Sequence, residues 1–197
     1  TIGLSMTTAG KNAFLTTVYV LLVPFGCYAL FKQKLAKSNF IAAGMMLLGI
    51  GLLSLDGESG GLNVGDLLTL CSGALFAAHI IAVDRCQKKT DMYALIVLQF
   101  AAAAAVAFVY HLFFERGMPV VFSSGSVGGL LYLSVFSTTI AMSLQNIGQS
   151  MAPSSHAAIL LSLESVFGAL AGAIFLHETL SGKEYLGCAL MLIAVVL

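Results

Sequence analysis

The sequence predicts an all-α polytopic membrane protein. Two observations carry the prediction: an apolar composition gathered into seven spans, and a late stretch of the chain that repeats an early one. Of the 197 residues, 59% are hydrophobic and 9% charged, and the mean hydropathy is +0.98. A water-soluble domain of this length has no use for so much apolar surface. In lipid every backbone group must be bonded within the protein, which an open sheet edge cannot do, so the spans read as helices. The formal charge is zero. Without a clustered basic patch there is nothing to hold a nucleic acid, and no such partner is expected.

Crossing the hydrocarbon takes about 20 apolar residues, with about 17 to 25 tolerated. Seven segments come near that requirement: 13–31, 40–55, 66–83, 93–114, 127–148, 156–176 and 185–197. The second is short, which invites a start nearer Ser38. The last ends at Leu197 without cap or charge, and Thr1 follows no start methionine or basic leader, so both ends read as cut. Turn chemistry marks the connections at Asp56 to Gly61, Arg116 to Pro119, Ser123 to Ser126 and Ala152 to Ser155.

Sliding the chain against itself by 145 places lays Thr1–Leu52 over Asn146–Leu197 without a gap. Ile2, Gly3, Ser5 and Met6 fall on Ile147, Gly148, Ser150 and Met151, and ten of the 52 positions agree. Chance in so apolar a composition gives roughly four, and internal repeats take precedence in reading a fold. Five apolar spans separate the two copies. An odd number of crossings inverts the second copy relative to the first, the arrangement of many secondary transporters. Three spans precede the repeated signature in the second copy and none precedes it in the first. The expected whole is therefore a ten-helix, five-plus-five inverted repeat of which seven spans are visible. Residues 1–55 are the remainder of the first repeat and 66–197 the second.

Lys32, Lys34, Lys37, Arg85, Lys88 and Lys89 collect on one face, against Lys11, Arg116 and Lys183 on the other. Positive residues favour the inner side, so loops 32–39 and 84–92 are expected in the cytoplasm, with the protein in the cell membrane.

The run from Ala157 to Leu170, followed by Leu176-His177-Glu178-Thr179-Leu180, resembles the penultimate helix of the drug/metabolite transporter superfamily, in particular its EamA-like permeases. The family closes that helix with a Gly-Glu-x-Leu turn, and His177 stands where its glycine is usual. Pro24 sits where the family commonly has a helix proline, and Ser165 replaces a proline often found in the second copy. The resemblance implies a carrier of amino acids, metabolites or drugs, proton-coupled or passive and often an exporter, with no cofactor. It identifies no substrate. The expected partners are a small molecule, protons and the bilayer, and the assembly is a monomer or a homodimer.

Glu164 is the one carboxylate deep within a span. A charge at that depth costs about 2.5 to 3.5 kcal/mol on insertion scales, so it should face the protein interior or a wet cavity. It is read as a substrate ligand or proton-coupling group; a carboxyl that only ties helices together is the alternative. Gly168 and Gly172, four and eight residues on, would let a neighbouring helix pack closely. Tyr19 is the repeat mate of Glu164, and Asn12, Thr16 and Tyr19 share one side of their helix as a polar stripe. Pro24 should kink that helix, as a gating bend or as ordinary packing. In other spans Ser72, Phe76 and His79 share a face, as do Ser134, Thr138, Ala141 and Gln145. His79 could relay protons with Glu164 or be structural, while Gln99 reads as a packing contact. His156, at the start of its helix, is a candidate for an inner gate. Substrate-lining residues are thus expected to be Asn12, Thr16, Tyr19, His79, Gln145 and Glu164.

His177-Glu178 opens like a zinc-protease signature, but Ser181 stands where the second histidine belongs. There is no G-x-S-x-G elbow and no phosphate-cradling loop. Cys27, Cys71, Cys86 and Cys188 show no metal or disulfide spacing. A carrier is therefore the expectation, with a passive channel or a structural membrane subunit as alternatives and an intramembrane enzyme disfavoured.

Overall fold

The computed structural model describes Met6 and residues 9–32, 37–54, 63–114, 123–175, 177 and 180–196, and these are helical with no strand among them. The helices are α1 (Ala9–Thr16), α2 (Tyr19–Phe31), α3 (Lys37–Ser54), α4 (Val64–Gln87), α5 (Met92–Phe114), α6 (Ser124–Tyr132), a π-helical segment (Leu133–Ile140), α7 (Ala141–Ser150), α8 (Ser154–Ser162), α9 (Glu164–Phe175) and α10 (Gly182–Val196). Five stretches are long and apolar enough to cross a membrane: Asn12–Phe31, Val64–Gln87, Met92–Phe114, Gly125–Ser150 and Ser154–Phe175. The second and seventh expected spans form helices too. At 18 residues for α3 and 15 for α10, they were the short ones in the sequence as well.

One pair of helix starts follows the sequence interval: α2 begins at position 19 and α9 at 164, 145 apart. The signature Ile2 to Ser5 lies outside the described residues. The connections at Asp56 to Gly61 and Arg116 to Pro119 lie outside them as well.

Two expected spans are interrupted. The first breaks at Thr17–Val18, between α1 and α2, and the sixth at Leu163, between α8 and α9. Local chemistry explains both. The Thr17 hydroxyl donates to the Ala13 carbonyl at 2.8 Å, and its repeat mate Ser162 donates to Ile159 at 2.7 Å. A buried hydroxyl bonded back onto the preceding turn competes with the helix ladder and bends it. At the first break Val20 N–H bonds the Thr17 carbonyl instead of that of Thr16. Pro24, which the sequence offers as the bend, lies buried inside α2. The interruption comes before it.

Both broken helices also end alike. Lys32 closes α2 with φ 52° and His177 follows α9 with φ 55°, and the two residues are again 145 apart. A left-handed residue just past a helix end is ordinarily glycine, because a Cβ crowds the following carbonyl there. A glycine at either position would adopt this conformation without that crowding.

The chain forms two compact units, residues 1–82 with 152–197, and 83–151. In the first, Val20, Val23, Cys27, Ala42, Met46, Ile80, Ala158, Val166 and Met191 are buried in one apolar core. Its tightest seam joins α3 to α10. A Cβ on Gly49 would come within 2.7 Å of the Gly187 carbonyl oxygen, and one on Gly187 within 2.5 Å of the Gly49 oxygen. Such backbone contact is how helices gain packing in lipid, where apolar burial supplies little drive. By contrast, Gly168 has open space around it, so the close approaches fall at Gly49 and Gly187 instead. α10 starts with Glu184 accepting from both Ser181 N–H and Ser181 Oγ at 2.6 Å. The Ser181 hydroxyl bond, then the backbone one, hold the Glu184 carboxyl below the usual carboxylate range.

In the second unit Asn146 is buried and joins three helices. Its backbone carbonyl accepts from Gln87 Nε2 at 2.8 Å and its Oδ1 from Gln99 Nε2 at 3.0 Å, while its Nδ2 donates to the Met142 carbonyl. Gln99 is therefore a hydrogen-bonding residue rather than a mere packing contact. Ser123 and Ser126 cap α6 reciprocally. The π-helical turns that follow shift the register: Thr139 Oγ1 bonds the Ser134 carbonyl, five residues back. The stripe of Ser134, Thr138, Ala141 and Gln145, read at α-helical spacing, does not survive that shift. α4 runs on to Gln87, so Arg85 belongs to a helix and not to a loop, and Asp84 pairs with Lys88 at 2.9 Å.

Candidate functional site

The two helix breaks meet at one cavity. It measures about 300 Å³ and lies wholly within the first unit, lined by Ala13, Thr16, Thr17, Tyr19, Ser72, Phe76, Leu161, Ser162, Glu164 and Ser165. Three repeat-related pairs stand in that lining: Thr16 with Leu161, Thr17 with Ser162, and Tyr19 with Glu164. The same two turns of helix, one from each copy, build opposite parts of the wall.

Breaking a helix here has two effects. It sets Glu164, an exposed residue, at the first position of α9 beside the cavity. It also carries the Thr16 carbonyl out against α4, where only glycine fits: a Cβ on Gly73 would stand 2.6 Å from that oxygen and 2.9 Å from Val18 Cγ1. Tyr19, buried, packs edge-on against Phe76 with ring centroids 4.9 Å apart. Phe76 in turn stacks on His79 at 6.1 Å, the planes 11° apart.

Of the residues expected to line a site, Thr16, Tyr19 and Glu164 do so. Asn12 stands a turn away, its Oδ1 accepting from Thr69 at 2.8 Å, and His79 is reached only through Phe76. Gln145 belongs to the other unit, where its Nε2 is buried with no hydrogen-bond partner among the described residues. His156 is exposed in the first turn of α8. Gly172 is half-buried in α9. Thr17, Ser162 and Ser165 were missed, although the first two were findable as repeat mates adjoining residues already chosen. No group of three or more metal-ligating side chains occurs among the described residues.

Five apolar helical stretches long enough to cross a membrane, with no strand among the described residues, define a multi-pass membrane protein. Residues 63–197 match the EamA-like transporter family, and the chain belongs to that family. An uncharacterized transporter of Archaeoglobus fulgidus is 33% identical over all of this chain and 62% of its own length. The uncharacterized transporter YwfM of Bacillus subtilis is 27% identical over 85% of this chain and 56% of its own. The chain thus spans about three fifths of the length of these relatives. One solved crystal structure matches 98% of the chain and 68% of its own, with a TM-score of 0.81 at 18% identity, a likeness of fold.

Proposed function

We propose that the complete protein is a secondary transporter of the cell membrane that moves a small metabolite, amino acid or drug, in the export direction, by alternating access. Its helices belong to a ten-helix, five-plus-five inverted repeat, with the basic segments 32–39 and 84–92, which include the start of α3 and the end of α4, on the cytoplasmic side. Substrate binds in the cavity at the two helix breaks, and rocking of one repeat against the other exposes it to each side in turn. One observation supports this reading: Tyr19 and Glu164, 145 residues apart and mates in the repeat, line one cavity. Protons are the proposed coupling ion and Glu164 their acceptor, with His79 as relay. Pro24 and His156 are the proposed gating positions.

Flux into proteoliposomes of the complete gene product under an imposed pH gradient tests the proposal. Saturable flux that the gradient accelerates supports a coupled carrier, and flux linear in solute concentration means a channel. Cysteines placed at Lys37 and Lys183 should be labelled from opposite sides of the membrane; labelling from one side removes the inversion.

A further inference from the structure

α4 meets the first broken helix at a constant interval. Asn63 Nδ2 donates to the Met6 carbonyl at 2.9 Å, and Thr69 Oγ1 stands 2.8 Å from Asn12 Oδ1. A Cβ on Gly73 would fall 2.6 Å from the Thr16 carbonyl oxygen, and Phe76 packs edge-on against Tyr19. The partners in each of these four pairs are 57 residues apart. Helices that keep one interval along their length run parallel, since each rises about 1.5 Å per residue. The interval is the same before the Thr17–Val18 break, at Asn12 and Thr16, as after it, at Tyr19. α4 itself continues unbroken from Val64 to Gln87. It therefore lies along the interruption as a splint.

The contacts are fixed from the α4 side. Asn63 Oδ1 accepts from Asp66 N–H at 2.8 Å and Asn63 N–H donates to Asp66 Oδ2 at 2.9 Å, a reciprocal cap that leaves Nδ2 aimed at Met6. Asp66 and Thr69 are buried, and Thr69 Oγ1 is also tied to its own helix, 2.8 Å from the Gly65 carbonyl. At the break a main-chain oxygen rests on glycine, which stops one helix from rolling over the other. Close backbone approach and side-chain bonds between helices are what hold helices together in lipid. We infer that α4 and the stretch Ala9–Tyr19 travel as one rigid arm, in which Asn63 and Thr69 are positioning residues for the cavity wall at Thr16 to Tyr19. This rests on the carrier reading and redraws its moving parts. α4 opens the proposed second repeat yet is coupled to the first, so the rocking bodies exchange a helix between the repeats. The cavity then changes shape between the arm and α8–α9, not by bending at Thr17–Val18.

Double electron–electron resonance on the full-length transporter in lipid nanodiscs tests this, with Cys71→Ser and Cys86→Ser removing the two exposed thiols. Nitroxides on Leu22→Cys and Val64→Cys, exposed positions about 22 Å apart along the axis, report across the break within the arm. Nitroxides on Val64→Cys and Leu160→Cys report across the cavity. The arm pair should give one narrow distance, and the cavity pair a distribution about twofold wider or split in two. Thr69→Val combined with Asn63→Ser, which keeps a capping oxygen for α4, should widen the arm distance about twofold. Thr69→Val alone should widen it in the same direction, while Thr69→Ser, which keeps the hydroxyl, should leave it narrow. A wide or split arm distance without these substitutions overturns the inference, and so does an arm distance that Thr69→Val, alone or with Asn63→Ser, leaves unchanged. A single narrow distance in both pairs keeps the arm and removes alternating access, so the two proposals fail separately.

Discussion

Replacing Gly73 by alanine should destabilise the protein through the broken first helix, although the substitution lies on α4. The Thr16 carbonyl, which Val20 N–H bypasses in favour of Thr17, rests on the glycine. A Cβ placed there would stand 2.6 Å from that oxygen, where ordinary contact begins at 3.4 Å, and 2.9 Å from Val18 Cγ1. The oxygen is main chain and cannot rotate away, so either the break or α4 must move by several tenths of an ångström. Overpacking of this kind costs about 1–3 kcal/mol, and alanine in a helix returns about 1 kcal/mol over glycine. Gly168→Ala is the matched control, since a Cβ there meets nothing within 4 Å and only the helix-propensity gain applies. The two variants should therefore differ by about 1–3 kcal/mol. At about 2–4 °C per kcal/mol for a chain of this size, thermal unfolding in one detergent resolves that difference. If Gly73→Ala melts at or above Gly168→Ala, the close approach of Thr16 to α4 is not what the geometry makes it.

Two further substitutions probe features that sequence patterning leaves open. His177→Gly should raise stability by up to about 1 kcal/mol, because a left-handed L-residue costs about 1–2 kcal/mol that glycine largely avoids; Lys32→Gly should act in the same direction at the equivalent helix end. A lower melting temperature in both would mean that the side chains, not the φ angles, matter there. Asn146→Leu should cost about 0.5–2 kcal/mol by removing the Oδ1 that Gln99 Nε2 bonds at 3.0 Å, and adding Gln99→Leu should recover part of the loss. Strict additivity in that double-mutant cycle would refute the bond.

Helix existence and extent were legible because length and hydropathy alone decide what can lie in lipid, and polar connections bound each span. The 145-residue interval was legible too, and from it the pairing of Tyr19 with Glu164, since both are properties of residue order. Continuity of the helices was not. An apolar span reads the same whether or not a buried hydroxyl turns back on the preceding carbonyl, so the breaks at Thr17–Val18 and Leu163 came only with the fold. Register was hidden for a similar reason: nothing in Leu133–Ile140 announces π-helical bonding, and the stripe ending at Gln145 was drawn on the wrong period. Pattern also placed Asn12 and His79 beside Thr16 and Tyr19, because helical faces are the only geometry a sequence displays. Which of those faces meet around one space depends on where backbones can touch. Gly73 against Thr16 and Gly49 against Gly187 are contacts between distant segments, and those approaches, visible only once the chain has packed, decide that Ser162 and Glu164 face Tyr19 and Phe76 across one cavity.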